Sequence, residues 1–182
     1  FLANGFEEVE ALCPLDLLRR AGVSVTTVAI GGNDTVIGSH GIAVQADMPE
    51  ALYRDAKPEM VILPGGMPGT RNLEQSAVVQ NTLRYAMDRE LPVAAICAAP
   101  MVFGHLDILE GVKATCYPGV QSQLRGAEYT AEIVTVDGQF ITGRGPAAAM
   151  EFGYAIAEHF LGAEAVAPLR EGMIYNQLLA SL

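Results

Sequence analysis

The chain has no tryptophan, only three histidines and three cysteines, and 11 basic residues against 21 acidic ones. Cys13, Cys97 and Cys116 stand far apart with no C-x-x-C spacing, so neither a disulfide framework nor a zinc site is expected. The histidines are equally isolated, and no metal is expected. A formal net charge of −10 argues against nucleic acid and against an anionic membrane, because phosphate contacts need clustered Lys and Arg. Small molecules or other proteins are the expected partners. No run reaches the ~18 apolar residues of a membrane-spanning helix, and the start lacks the basic and apolar regions of a secretory signal. The expectation is a soluble, cytoplasmic protein.

The 182 residues, 51% of them hydrophobic, suffice for one domain with a substantial core. The opening "FLANGFEE" reads as the end of a first strand whose start is missing. "EEVEALCPLDLLRR", residues 7–20, has the apolar spacing of a helix, with acids in its first turn, arginines in its last and Gly22 as a stop. Pro14 predicts a kink in it. "VSVTTVAIGG", "EMVILPGG" and "PVAAIC" read as buried strands, each an apolar run ending at a turn. "RNLEQSAVVQNTLRYAMDRE" between the last two reads as one crossover helix, which makes a right-handed parallel unit. Asp-Gly inside "EIVTVDGQFITG" signals a hairpin, and "GPAAAMEFGYAIAEHFLG" reads as a helix from Pro146 to Gly162. The fold class is α/β: one sandwich with a mostly parallel central sheet and a small β-hairpin.

In such a sheet, ligands meet the carboxyl ends of the strands. That rule gathers "NGFEEVE", "LPGGMPG" and "ICAAP" into one crevice. Cys97 falls on a sharp strand-to-helix turn of the kind that presents a nucleophile, and a helix N-terminus beside it is expected to lower the thiol pKa. Gly65 and Gly66 either form a plain turn or, with the N–H of Ala98, make an oxyanion-binding set. Glu7 and Glu8 are expected to face water. Glu10 is either a third solvated acid or a buried carboxyl whose raised pKa lets it donate to the thiolate.

Four stretches, "FLANGFEEVEALCPLDLLRRAG", "VILPGGMPGTRNL", "AAICAAP" and "ITGRGPAAAMEFGYAIAE", occur in this order along nearly the whole chain. Together they resemble the ThiJ/PfpI superfamily, in the branch of the parkinsonism-associated protein deglycase. The resemblance implies a flavodoxin-like three-layer sandwich, a homodimer and no cofactor. It implies that Cys97 is the reactive cysteine, that Glu10 is the buried glutamate bonded to it, and that Gly65, Gly66 and Ala98 are the backbone donors. Arg19 and His40 match residues that the family brings to the pocket from the dimer side. Where members of that branch place a histidine in the loop after the elbow helix, this chain has Tyr117, a phenol that is a poor base at neutral pH.

Ala98 stands where the protease branch has a histidine, and none of His40, His105 or His159 begins the His-x-Glu pair of class I glutamine amidotransferases. His105 and His159 are read as structural. Cys116 is either a small core residue or a second thiol that resolves an oxidised Cys97. Two functions follow: a cysteine-dependent enzyme acting on small reactive carbonyls, of glyoxalase or deglycase type, or a non-enzymatic redox-sensing or chaperone-like stress protein that uses oxidation of Cys97.

Overall fold

The computed structural model describes residues 1–54 and 56–181. In chain order the elements are β1 (Leu2–Ala3), α1 (Glu8–Arg20), β2 (Val28–Ile30), β3 (Thr35–Ile37), β4 (Ala43–Gln45), β5 (Met48–Pro49), β6 (Val61–Leu63), α2 (Gly69–Gln75), α3 (Ala77–Met87) and β7 (Val93–Ile96). There follow α4 (Pro100–His105), β8 (Lys113–Ala114), β9 (Glu128–Tyr129), β10 (Val134–Asp137), β11 (Phe140–Gly143), α5 (Ala149–Leu161), α6 (Ala163–Gly172) and α7 (Tyr175–Ala180). Strands β5, β2 and β1 pair in parallel, and so do β6, β7 and β11; β10 closes the far edge antiparallel to β11. The Phe1 ammonium donates to the Ile62 carbonyl at 3.1 Å, which sets β1 beside β6.

Side chains alternate across β7, and both faces are covered, as an interior parallel strand requires. Val93 and Ala95 pack with Leu83, Val102 and Phe103, whereas Ala94 and Ile96 pack with Leu17, Phe152 and Ile156. Helices α1 and α5 meet closely because Gly153 has no Cβ; one there would lie 2.7 Å from Leu17 Cδ1 and 3.2 Å from Pro14 Cα. Helix α1 runs through Pro14 without a break, and the proline forms part of this contact.

Three expectations change. Residues 71–90 are not one helix: Ser76 takes an extended conformation (φ −73°, ψ 120°), ends α2, and caps α3 by accepting from the Val79 N–H at 3.4 Å. The strand expected over 23–32 is regular only from Val28 to Ile30. The hairpin exists, but Asp137 pairs with Phe140, so Gly138 (φ +55°) and Gln139 occupy its turn rather than Asp-Gly. No helix among the described residues is long and apolar enough to cross a membrane.

Candidate functional site

Strand β7 delivers Cys97 to the carboxyl edge of the sheet. Its N–H donates to Gly143 O of β11 at 2.8 Å, its own carbonyl accepts from Tyr117 N–H at 2.8 Å, and Ala99 N–H closes the turn onto Ile96 O at 3.0 Å. Held by these bonds, Cys97 adopts φ +64°, a left-handed conformation that costs a non-glycine residue roughly 1–2 kcal/mol. Strain of this kind persists only where the surroundings over-determine it.

The glycine turn after β6 passes between this elbow and the start of α1. A Cβ on Gly65 would lie 2.5 Å from Glu10 Oε2 and 2.7 Å from Cys97 Cβ, so no larger residue fits there. Gly66 has φ +88° and lies so close to α1 that a Cβ would stand 2.3 Å from the Glu7 nitrogen. Glu10, only 1% exposed, accepts from Gly65 N–H through Oε2 at 3.1 Å, while Oε1 has no partner. Of the three expected donors, Gly65 is therefore turned to the carboxylate and not to the pocket; Gly66 and Ala98 N–H face the thiol.

Burial raises the Glu10 pKa, with the Glu7 charge adding to it against hydrogen bonds from Cys97 and Gly65, to about 7. Burial also pushes the 9%-exposed Cys97 thiol up, and an ionised Glu10 beside it pushes further, against the N–H groups of Ala98 and Gly66. The elbow alone does not lower this thiol. The two titrations are coupled, and the carboxyl ionises before the thiol: while the carboxyl is protonated, its repulsion of a thiolate is absent.

Glu8 is not solvated. At 5% exposure it lies beneath the β3–β4 turn, where Oε1 accepts from His40 N–H at 2.8 Å and Oε2 from the His40 ring Nδ1 at 2.9 Å. The Ser39 hydroxyl stands 3.3 Å from Glu8 Oε2 and 3.2 Å from Glu7 Oε2. Among the described residues, Glu7, Glu8 and His40 are the group whose metal-type donor atoms all lie within 4.8 Å of one another, and hydrogen bonds already engage them. Sequence reasoning missed this network, because its parts are 32 residues apart.

Arg19 lies nine residues, or roughly 13 Å at 1.5 Å per residue, along α1 from Glu10. Its guanidinium is engaged by Asp47 at 2.7 Å and Val25 O at 3.0 Å, away from Cys97. Tyr117 is tied to the elbow through its backbone, with its ring beside Gly145 and 48% of its large side chain's residue exposed. Cys116 packs with Phe103 and Val102, in the opposite cluster from Cys97, so its burial fits the small core residue rather than the resolving thiol. His105 is held between Glu74 and Gln123, and His159 lies against Phe160.

The DJ-1/PfpI family matches residues 1–159. The Parkinson disease protein 7 homolog of Danio rerio is 34% identical over 177 residues, covering 95% of this chain and 94% of the relative. A deglycase of Pyrococcus horikoshii is 32% identical over 148 residues, covering 80% and 87%. The solved structure of Toxoplasma gondii DJ-1, oxidized, superposes with a TM-score of 0.92 at 30% identity, covering 96% of this chain and 95% of that one.

Proposed function

Since the chain belongs to the DJ-1/PfpI family, we propose that it is a cysteine-dependent stress protein acting on small reactive carbonyls, as a cytoplasmic homodimer that uses no cofactor. The observation that carries this reading is the pairing of a strained Cys97 with a Glu10 carboxyl whose second oxygen is buried and unpartnered. The deglycase among the relatives supports the substrate class.

In this chemistry the Cys97 sulfur adds to the aldehyde carbon of a 2-oxoaldehyde such as methylglyoxal. The thiol proton passes to the new alkoxide, which the N–H groups of Gly66 and Ala98 hold. Glu10 in its carboxylate form takes the proton from that carbon to give an enediolate and returns it to the neighbouring carbon, while the hydroxyl proton on the first carbon passes to the oxygen on the second. The hydride equivalent has then moved within the substrate, leaving a lactoyl thioester. Water cleaves the thioester to lactate and restores the thiol. Pure protein is expected to make lactate from methylglyoxal, with turnover lost in Cys97→Ser and Glu10→Gln; no lactate from the wild-type protein overturns the reading.

A second reading, redox sensing, is favoured by Tyr117 standing where the resemblance places a histidine, and by the engagement of His40 and His105 in other pairs. The Toxoplasma gondii relative is described as oxidized. Graded peroxide followed by mass spectrometry is expected to give sulfinate first at Cys97. Equal oxidation of Cys13, Cys97 and Cys116 speaks against it. For the dimer, exposed Val9, Ile37 and Ile42 beside His40 form the face we assign to the second copy; a monomer mass in solution light scattering overturns that assignment.

A further inference from the structure

We propose that Tyr117 is a specificity-determining residue: its ring forms an aromatic wall beside the elbow that favours 2-oxoaldehydes whose ketone carbon bears an aryl group over those that bear a methyl. The proposal rests on the carbonyl reading of Cys97 and narrows its substrate class.

The wall is built from backbone bonds that converge on one cysteine. Strand β7 lies between β6 and β11, so the crevice at its carboxyl end has two flanks. The β6 flank is the glycine turn, where Gly65 lies against Glu10 and Cys97 Cβ. The β11 flank consists of Gly143, Gly145 and Tyr117. Gly143 O accepts from Cys97 N–H at 2.8 Å, and Tyr117 N–H donates to Cys97 O at 2.8 Å. Both arms of this flank therefore hold the backbone of the residue that carries the thiol.

The segment that presents Tyr117 has little freedom. Thr115 N–H donates to Thr142 Oγ1 of β11 at 2.9 Å, and Thr115 Oγ1 donates to Glu132 O at 2.8 Å. On the other side, Val120 N–H donates to Tyr117 O at 3.0 Å and closes a turn through Pro118 and Gly119 (φ +97°). Thr115 and Cys116 are fully buried, and the chain then surfaces at Tyr117, about half of which is exposed. The Cδ2–Cε2 side of its ring rests on Gly145, where a Cβ would stand 3.2 Å and 3.7 Å from these two carbons.

The groups that face the sulfur are polar: the N–H groups of Gly66 and Ala98, and the Glu10 carboxyl. They serve the oxygens and the proton in transit, and do not distinguish what the ketone carbon carries. An exposed aromatic ring on the flank does. A phenyl group laid on it removes apolar surface of both rings from water, whereas a methyl covers only a small part. The ring is held before the substrate arrives, so little ordering entropy opposes the contact. Aromatic pairs of this kind correspond to about two- to tenfold in binding.

The test uses two pairs of probes that differ in phenyl against methyl, on wild type, Tyr117→Ala and Tyr117→Phe. In the first pair, phenylglyoxal gives mandelate and methylglyoxal gives lactate by the steps described above. In the second, phenacyl bromide and bromoacetone alkylate Cys97: the S–C bond forms as the C–Br bond breaks, bromide leaves and the thiol proton goes to solvent. Mass spectrometry follows this alkylation without turnover. Tyr117→Ala is expected to lower the phenyl-to-methyl ratio about two- to tenfold in both pairs, in turnover through KM rather than kcat. Tyr117→Phe keeps the ring and is expected to hold the wild-type ratio. Unchanged ratios in Tyr117→Ala overturn the proposal. So does an equal loss in Tyr117→Phe, which assigns the effect to the hydroxyl, and so does a loss confined to kcat, which makes Tyr117 part of the chemistry. Lactate formation with unchanged ratios overturns this proposal alone. No product from either aldehyde overturns the carbonyl reading, and the alkylation ratio then decides by itself whether the aryl wall exists.

Discussion

Glu8 and Glu10 lie two residues apart on α1, both are buried, and their carboxyls are driven in opposite directions. Burial pushes each of them up. At Glu8 the His40 ring and several backbone N–H groups overcome burial and take the pKa to about 2. At Glu10 one backbone N–H and a thiol do not, and the pKa rises to about 7. The number of donors that meet a buried carboxylate, rather than burial itself, decides its charge. Glu8 stays an anion that holds a turn in place, whereas Glu10 keeps its proton up to near neutrality, the property that the proposed acid–base chemistry needs.

The comparison breaks most severely if the donor to Glu10 is disturbed. Gly65→Ala inserts a methyl 2.5 Å from Glu10 Oε2 and 2.7 Å from Cys97 Cβ, so the turn or one of these groups must shift. Overpacking of this kind costs about 1–3 kcal/mol, and the upper end is expected here because the neighbours are a buried carboxyl and a strained elbow. Chemical denaturation checks the stability, and iodoacetamide alkylation of Cys97 is expected to fall by more than tenfold. Unchanged alkylation and stability show that the turn can shift and that the contact does not define the site.

The elbow was legible in sequence because it depends on neighbours along the chain: an apolar run, then Cys97, then Pro100 opening α4. The parallel strands were legible for the same reason, each being a short apolar run bounded by a turn. The different fates of Glu8 and Glu10 were not, since both look like first-turn acids. Residues 40 and 65 decide between them, 32 and 55 positions away. The interruption at Ser76 escaped because the apolar pattern continues across it, and only the cap geometry reveals two helices. Helices α6 and α7 escaped as well, since Pro168 within the first and the left-handed Ile174 before the second obscure any simple period.

A sharper form of the comparison is the pH dependence of stability. The folded pKa of Glu10 lies above the ordinary carboxyl value of 4.5, so the unfolded state ionises first as pH rises. Its contribution therefore favours the fold at low pH, declines as pH rises from about 4.5 to about 7, and stays lost above that range. Glu10→Gln removes this titration while keeping an acceptor for Gly65 N–H. The variant is expected to melt above wild type at pH 8 and to match it near pH 4.5, as followed by circular dichroism. A variant less stable than wild type at pH 8 contradicts a desolvated, proton-carrying Glu10.

Glu8 runs the other way, and its substitution has the smallest expected effect. Its folded pKa lies below the value of 4.5, so its stabilisation is fully present above about pH 4.5 and is lost as pH falls towards about 2. Glu8→Gln retains one carbonyl acceptor for His40 N–H but gives up the charge that the ring faces, for a loss of about 1 kcal/mol at pH 7. The two titrations separate in one experiment. Acid unfolding of Glu8→Gln is expected to weaken its dependence on pH below 4.5, leaving the part due to Asp47, while keeping the decline between 4.5 and 7, and Glu10→Gln is expected to keep the first and lose the second. If both variants flatten the same pH range, the two carboxyls titrate as one unit and the division between a fixed anion and a proton carrier fails.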